Sequence, residues 1–232
     1  QMPPEHRTEL RARTADLDGD PAARAELRRW LLGEVLQWDD LLVEDQGLPA
    51  ISLVRMAEHG VSLRPVQGLV DVDDANRLRL GVFAWPLGTR LDRRSDLATA
   101  GDLWPASPVQ RAEAWCRESG VPLALVTDDD QWVLVWAPRG APAASGRWRV
   151  GDLADEKVLQ AGLVSLLGAR RFFAVDEHDT VEKLFERAAD SEVAITKGLG
   201  SSVRRSVELL VASMSRDDVA SEGRVLAGVA PT

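Results

Sequence analysis

One helix stands between two pairs of strands in this chain, and few folds accommodate that order. SPVQRAEAWCRESG (residues 107–120) has Ser107 in place as an N-cap, Pro108 in the first turn and Gly120 as a stop. Before it, SLRPVQGLVDVD (62–73) and RLRLGVFAWPLG (77–88) are rich in Val and Leu and alternate in part with polar residues. The tetrad Asp73–Asn76 between them is turn chemistry, so the two read as a hairpin. The second strand has an unbroken apolar centre, Leu80 to Trp85, which predicts an interior position. After the helix, VPLALVTD (121–128) and QWVLVWAP (131–138) form another pair across Asp129 and Asp130. Strands that bracket a helix and pair with an earlier hairpin make a mixed sheet, the core of an α/β sandwich.

The rest of the chain is organised around that unit. Residues 21–43 place Leu27, Trp30, Leu31, Val35, Leu36 and Trp38 in steps of three and four, which predicts an amphipathic helix capped by Asp20 and Pro21. RWRVGDL (147–153) offers a further strand, and from about residue 154 the pattern turns helical over 155–168, 179–190 and 201–216. The expected division is a flexible arm over 1–20, an α/β domain over 21–153 and a helical connector over 154–232. A Gln ahead of Met2 and a final GRVLAGVAPT without a closing element read as a piece of something longer.

Charge and composition exclude several classes. With 28 basic and 37 acidic residues the net charge is −9, so no global positive field gathers nucleic acid. No apolar run reaches the ~18–20 residues that span a bilayer, which speaks against a membrane partner. The N-terminal residues QMPPEHRTEL lack a secretory pattern. One cysteine, Cys116, forms no internal disulfide, and three histidines with it make no usual zinc set. These features imply a reducing, cytoplasmic setting.

Reactive groups do not converge on a familiar enzyme. GLGSS (198–202) lacks the Lys-Ser/Thr of a phosphate loop, so Gly198 and Gly200 read as a helix connection. His59 and His178 read as solvated, and Cys116, beside Trp115 in mid-helix, as a small buried hydrophobe. Asp71, Asp73 and Asp74, and again Asp128, Asp129 and Asp130, have the oxygen donors for Mg²⁺ or Ca²⁺. Turn solvation is the favoured account of them, since exposed Asp is ordinary turn chemistry and no lysine stands nearby to complete a phosphodiester-cleaving site.

WLLGEVLQWDDLL (30–42), EHGVSLRPVQGLV (58–70), the long block 104–138, LLGARRFFAV (166–175) and LGSSVRRSVELLVASMSR (199–216) occur in a telling order. Together they resemble the N-terminal part of large bacterial adenine-specific DNA methyltransferases, the type IIG restriction–modification enzymes and the related methylase of DISARM phage defence. The resemblance covers about residues 27–216 and rests on block order. It implies a PD-(D/E)XK-nuclease-like mixed-sheet sandwich followed by a helical tail, leading to a methyltransferase domain that uses S-adenosylmethionine. This chain has no Asn-Pro-Pro-aromatic motif of its own.

In that family the nuclease site is an Asp near the first hairpin strand and a Glu-x-Lys on the next, which together hold Mg²⁺. RPVQ (64–67) stands at the first place and provides Val66 and Gln67; VFAWP (82–86) stands at the second and provides Phe83, Ala84 and Trp85. The implied nuclease is degenerate, with no catalytic or metal-binding residue in this segment. S-adenosylmethionine, and any Mg²⁺, belong to the parent protein. The implied role is docking of other defence-system proteins or contact with the DNA backbone, for which Arg170, Arg171, Arg204 and Arg205 are the candidates. Two alternatives remain open: an active Mg²⁺-dependent nuclease with a site migrated to the aspartates, and a free-standing protein-interaction module.

Overall fold

The computed structural model describes residues 2–15, 20–94, 104–191 and 203–208. The chain divides into two compact units, Gln1–Phe185 and Glu186–Thr232. The strands of the first unit are β1 (Leu42–Glu44), β2 (Val54–Met56), β3 (Val61–Leu63), β4 (Gln67–Val70), β5 (Leu78–Ala84), β6 (Leu123–Thr127), β7 (Gln131–Trp136) and β8 (Ala144–Arg149). Six of them form one mixed sheet in the order β1-β4-β5-β6-β7-β8, and β2 pairs with β3 separately. The helices are α1 (Pro4–Ala15), α2 (Pro21–Trp30), α3 (Pro108–Ser119), α4 (Val150–Leu153), α5 (Lys157–Leu167) and α6 (Ala169–Phe173), with residues 181–185 helical at the end of the unit. In the second unit, residues 186–191 and 203–208 are helical.

Both expected hairpins form, β4–β5 and β6–β7, each antiparallel. They join through β5 and β6, which run parallel with Gly81 opposite Ala124 and Ala84 opposite Thr127. A parallel pair needs a crossover, and α3 lies on it. Ser107 caps α3 by accepting from Gln110 N at 3.1 Å, the Gln110 side chain returns to Ser107 N at 3.0 Å, and Gly120 ends the helix at φ 80°.

Strand alternation sorts the core into two layers. Phe83, Ala124, Val126, Val133 and Val135 belong to one cluster with Ala112, Trp115 and Cys116 of α3. Their alternating neighbours Leu80, Val82, Leu123, Leu125 and Leu134 are also buried, and therefore face the opposite side of the sheet. Trp115 closes on Gly81, where an added Cβ would come within 2.7 Å of its ring. Its Nε1 donates to Ser52 O at 2.8 Å, which ties the β2–β3 side of the molecule to α3.

Four expectations change. The helix expected over 21–43 ends early: α2 stops at Trp30, widens into a π-turn over Leu31–Val35, and reverses at Gln37, whose φ is 61°. Reversal lets Trp38 turn inward, fully buried, with its Nε1 donating to Leu167 O at 2.7 Å. It also brings Asp39 against Gly33, where a Cβ would meet Oδ1 at 2.1 Å. Residues 4–15 of the expected flexible arm are instead α1, which buries Leu10. The boundary expected at 153/154 shifts to 185/186, because Ala169 N donates to Leu36 O and the Trp38 bond reaches α5. The strand expected over 147–153 starts earlier, at Ala144, and gives way to α4 at Val150. Of the helix expected over 201–216, residues 203–208 are seen as helix and the remainder falls outside the described residues.

Candidate functional site

The hairpin β4–β5 carries the positions where a nuclease of this resemblance would hold its metal. Gln67 pairs with Val82, and just ahead of that ladder Val66 N also donates to Val82 O at 2.8 Å, with the Val66 side chain exposed. Alternation then places Phe83 and Trp85 on the α3 face, and Gln67, Val82 and Ala84 on the other. Neither set contains a carboxylate or a lysine.

On the α3 face an aromatic stack occupies the region. Phe83 meets Trp115 edge to face at 5.2 Å. The Arg111 guanidinium lies 6.0 Å from the Trp85 ring and 5.1 Å from the Trp104 ring. His59 stacks on Trp104 at 4.4 Å with the rings 7° apart. Arg111 is buried and anchors the arrangement, its Nη2 donating to Trp104 O at 2.6 Å and its Nε to Ala106 O at 3.3 Å. Val, Phe and Trp provide no oxygen ligands, so the residues here do not fit a divalent cation.

On the opposite face Gln67 is buried in a polar network. Arg28 Nε donates to Gln67 Oε1 at 3.1 Å, and Gln67 Nε2 donates to Glu44 Oε1 at 2.6 Å. Arg28 also pairs through Nη1 with Asp129, both side chains about nine-tenths buried. The hydrogen bond from Arg29 holds the Glu44 carboxyl below the usual carboxylate range. Burial pushes the Asp129 carboxyl up, against the pull of Arg28. Every polar atom of Gln67 that could face a metal already serves α2 or β1.

The two aspartate groups lie at opposite ends of β5. Asp71 N donates to Arg77 O at the start of the strand, whereas Asp128 follows Thr127, the partner of Ala84 at its end. At about 3.3 Å per residue the groups stand roughly 20 Å apart, so they do not combine into one migrated site. Most of these carboxylates also have a local task. Asp71 accepts from Asp73 N at 3.1 Å and from Arg79 at 3.0 Å, and Asp74 accepts from Asn76 N at 2.9 Å. Asp128 accepts from Gln131 N at 2.7 Å and Gly88 N at 3.0 Å, and Asp130 pairs with Arg149 at 3.2 Å. Among the described residues no group of three His, Cys, Asp or Glu gathers as metal ligands.

The arginine candidates separate. Arg171 spends Nε on Ser165 O and Nη1 on Asp179 O, both at 2.9 Å, and so acts first as a brace between α5 and the segment after α6. Arg170 is exposed. Arg204 and Arg205 are exposed on helical residues 203–208 of the second unit. His178 is exposed in a short 3-10 turn, and Cys116 is buried, its thiol pushed up by that burial. Gly198 and Gly200 lie outside the described residues.

Sequence reasoning missed the stack and the Arg28 network. His59 read as solvated, and its partner Trp104 comes from a segment 45 positions away, so no local periodicity links them. The spacing of Arg28 and Arg29 on α2 was a signal that a polar pair sits beside the buried Leu27. No family model, no curated protein and no solved structure matches this chain. No helix among the described residues is long and apolar enough to cross a membrane.

Proposed function

We propose that residues 21–185 are a nuclease-like scaffold without a nuclease centre, serving a bacterial defence adenine methyltransferase as a docking domain. One observation carries the reading: Phe83 and Trp85 share a sheet face at the place where the resemblance requires Glu and Lys, and Arg111 with Trp104 fills the space beside them. Order of elements supports it too, since a hairpin, a crossover helix and a further strand in one mixed sheet suit the PD-(D/E)XK plan.

Docking is favoured over DNA-backbone contact by electrostatics. A net charge of −9 repels a polyanion such as the duplex backbone. The test is a plasmid-nicking assay on the purified chain with Mg²⁺ and Mn²⁺. No nicking is expected; nicking that Asp71→Ala or Asp129→Ala abolishes would overturn the reading. The methylase assignment carries its own requirement, an Asn-Pro-Pro-aromatic motif encoded beyond Thr232.

A further inference from the structure

Between α1, the π-turn after α2, and α5–α6 lies a cleft of about 460 Å³. Its polar lining is His6, Glu34, Gln37, Ser165, Arg170 and Arg171. We propose that this cleft binds a phosphomonoester group. Two guanidinium groups and an imidazole face one carboxylate there, so a locally cationic concavity exists in a chain of net charge −9. Among the described residues neither Arg170 nor Arg171 is ion-paired to a carboxylate. The carbonyls of Ser165 and Asp179 fix the Arg171 guanidinium and leave its Nη2 as a preoriented single donor for a ligand.

His6 adds an imidazole to the lining, and its Nδ1 is sealed from solvent without a hydrogen-bond partner. The ring is held edge-on to Trp30 at 5.8 Å. Gln37 at the rim keeps its left-handed backbone, strain of the kind that collects at binding sites. Concavity selects the ligand: a terminal phosphate enters end-on, whereas the internal phosphodiesters of a duplex lie along a surface and are met by protruding side chains.

The proposal stands apart from the inert-nuclease reading, since nicking bears on β4–β5 and not on this cleft. Its test titrates the purified chain by calorimetry with inorganic phosphate, a nucleoside 5′-monophosphate, and one short single strand carrying either a 5′-phosphate or a 5′-hydroxyl. Binding of the phosphorylated ligands, weakened about tenfold by Arg170→Gln and by His6→Gln but not by the exposed control Arg93→Gln, supports the site. A monophosphate bound as tightly as the phosphorylated strand marks a small-molecule source; a preference for the strand marks a nucleic-acid end. Equal binding of the hydroxyl strand, equal loss in Arg93→Gln, or no binding of any phosphate overturns it. Melting temperatures within a degree or two of the parent show that the variants fold.

Discussion

Adding a single methyl group at Gly81 tests how the α3 layer is assembled. The Cβ of Gly81→Ala would lie 2.7 Å from Trp115 Cη2, with two further ring atoms at 3.1 and 3.2 Å. Contact between carbons is comfortable near ~3.5–4.0 Å, so the indole must retreat by roughly 1 Å. Retreat is resisted on three sides. Trp115 is fully buried, packs edge to face on Phe83, and donates its Nε1 to Ser52 O at 2.8 Å. Overpacking of a filled core costs about 1–3 kcal/mol, from which ~0.5–1 kcal/mol is recovered because alanine has less conformational freedom to lose in a strand. The midpoints leave a net loss of about 1 kcal/mol, or about 2–4 °C in melting temperature for a unit of this size. Urea unfolding followed by tryptophan fluorescence measures it. Gly146→Ala in β8 is the control, because its Cβ would meet Trp148 at an ordinary 3.4 Å. Trp115→Leu in the Gly81→Ala background should restore part of the deficit relative to Trp115→Leu alone. A Gly81→Ala protein as stable as the parent would refute this account of the layer.

Arg28→Met strips the donor from buried Asp129 and Gln67 and should cost about 3 kcal/mol in urea unfolding, while Arg28→Met with Asp129→Leu should cost markedly less. Gln37→Gly removes a left-handed strain and should raise the unfolding free energy by about 0.5–1 kcal/mol in the same assay. Burial pushes the Asp71 carboxyl up, but the Asp73 amide and the Arg79 and Arg77 guanidinium groups outweigh it and leave the group below its usual range. Its contribution is therefore present above the unfolded value of about 3.9 and lost as pH falls through the lower folded value. Denaturation midpoints between about pH 5 and pH 2 should fall less steeply in Asp71→Asn than in the parent; equal slopes would remove Asp71 from the account.

Legibility in the sequence followed how local the deciding physics was. The α3 caps, the acidic turns and the interior place of β5 rest on residues within a few positions of one another, and these emerged as expected. The end of α2 did not. Its apolar spacing continues smoothly through Trp38, yet Trp38 meets its partner Leu167, 129 positions away, only because the chain reverses at Gln37. The sequence suggests an arm over 1–20, yet Leu10 is fully buried and α1 runs over Pro4–Ala15. At the candidate site, the absence of ligands at Val66, Phe83 and Trp85 was visible in the residues themselves. Which of them share a face was not, because alternation assigns faces only once the register is known. The four arginines were grouped by adjacency, but neighbours on a helix point about 100° apart, and Arg170 and Arg171 accordingly have different tasks.

Sheet pairing between the N-terminal strands β1, β4 and β5 and the C-terminal strands β6, β7 and β8 passes only through the seam where β5 meets β6. Each side is an antiparallel array able to form its own ladders before the two meet, and the long-range closure is left to that seam and to α3 wedged over it. Cutting the chain between β5 and α3 would thus yield two complementary pieces, and co-expressed as separate polypeptides they should find each other and rebuild the sheet.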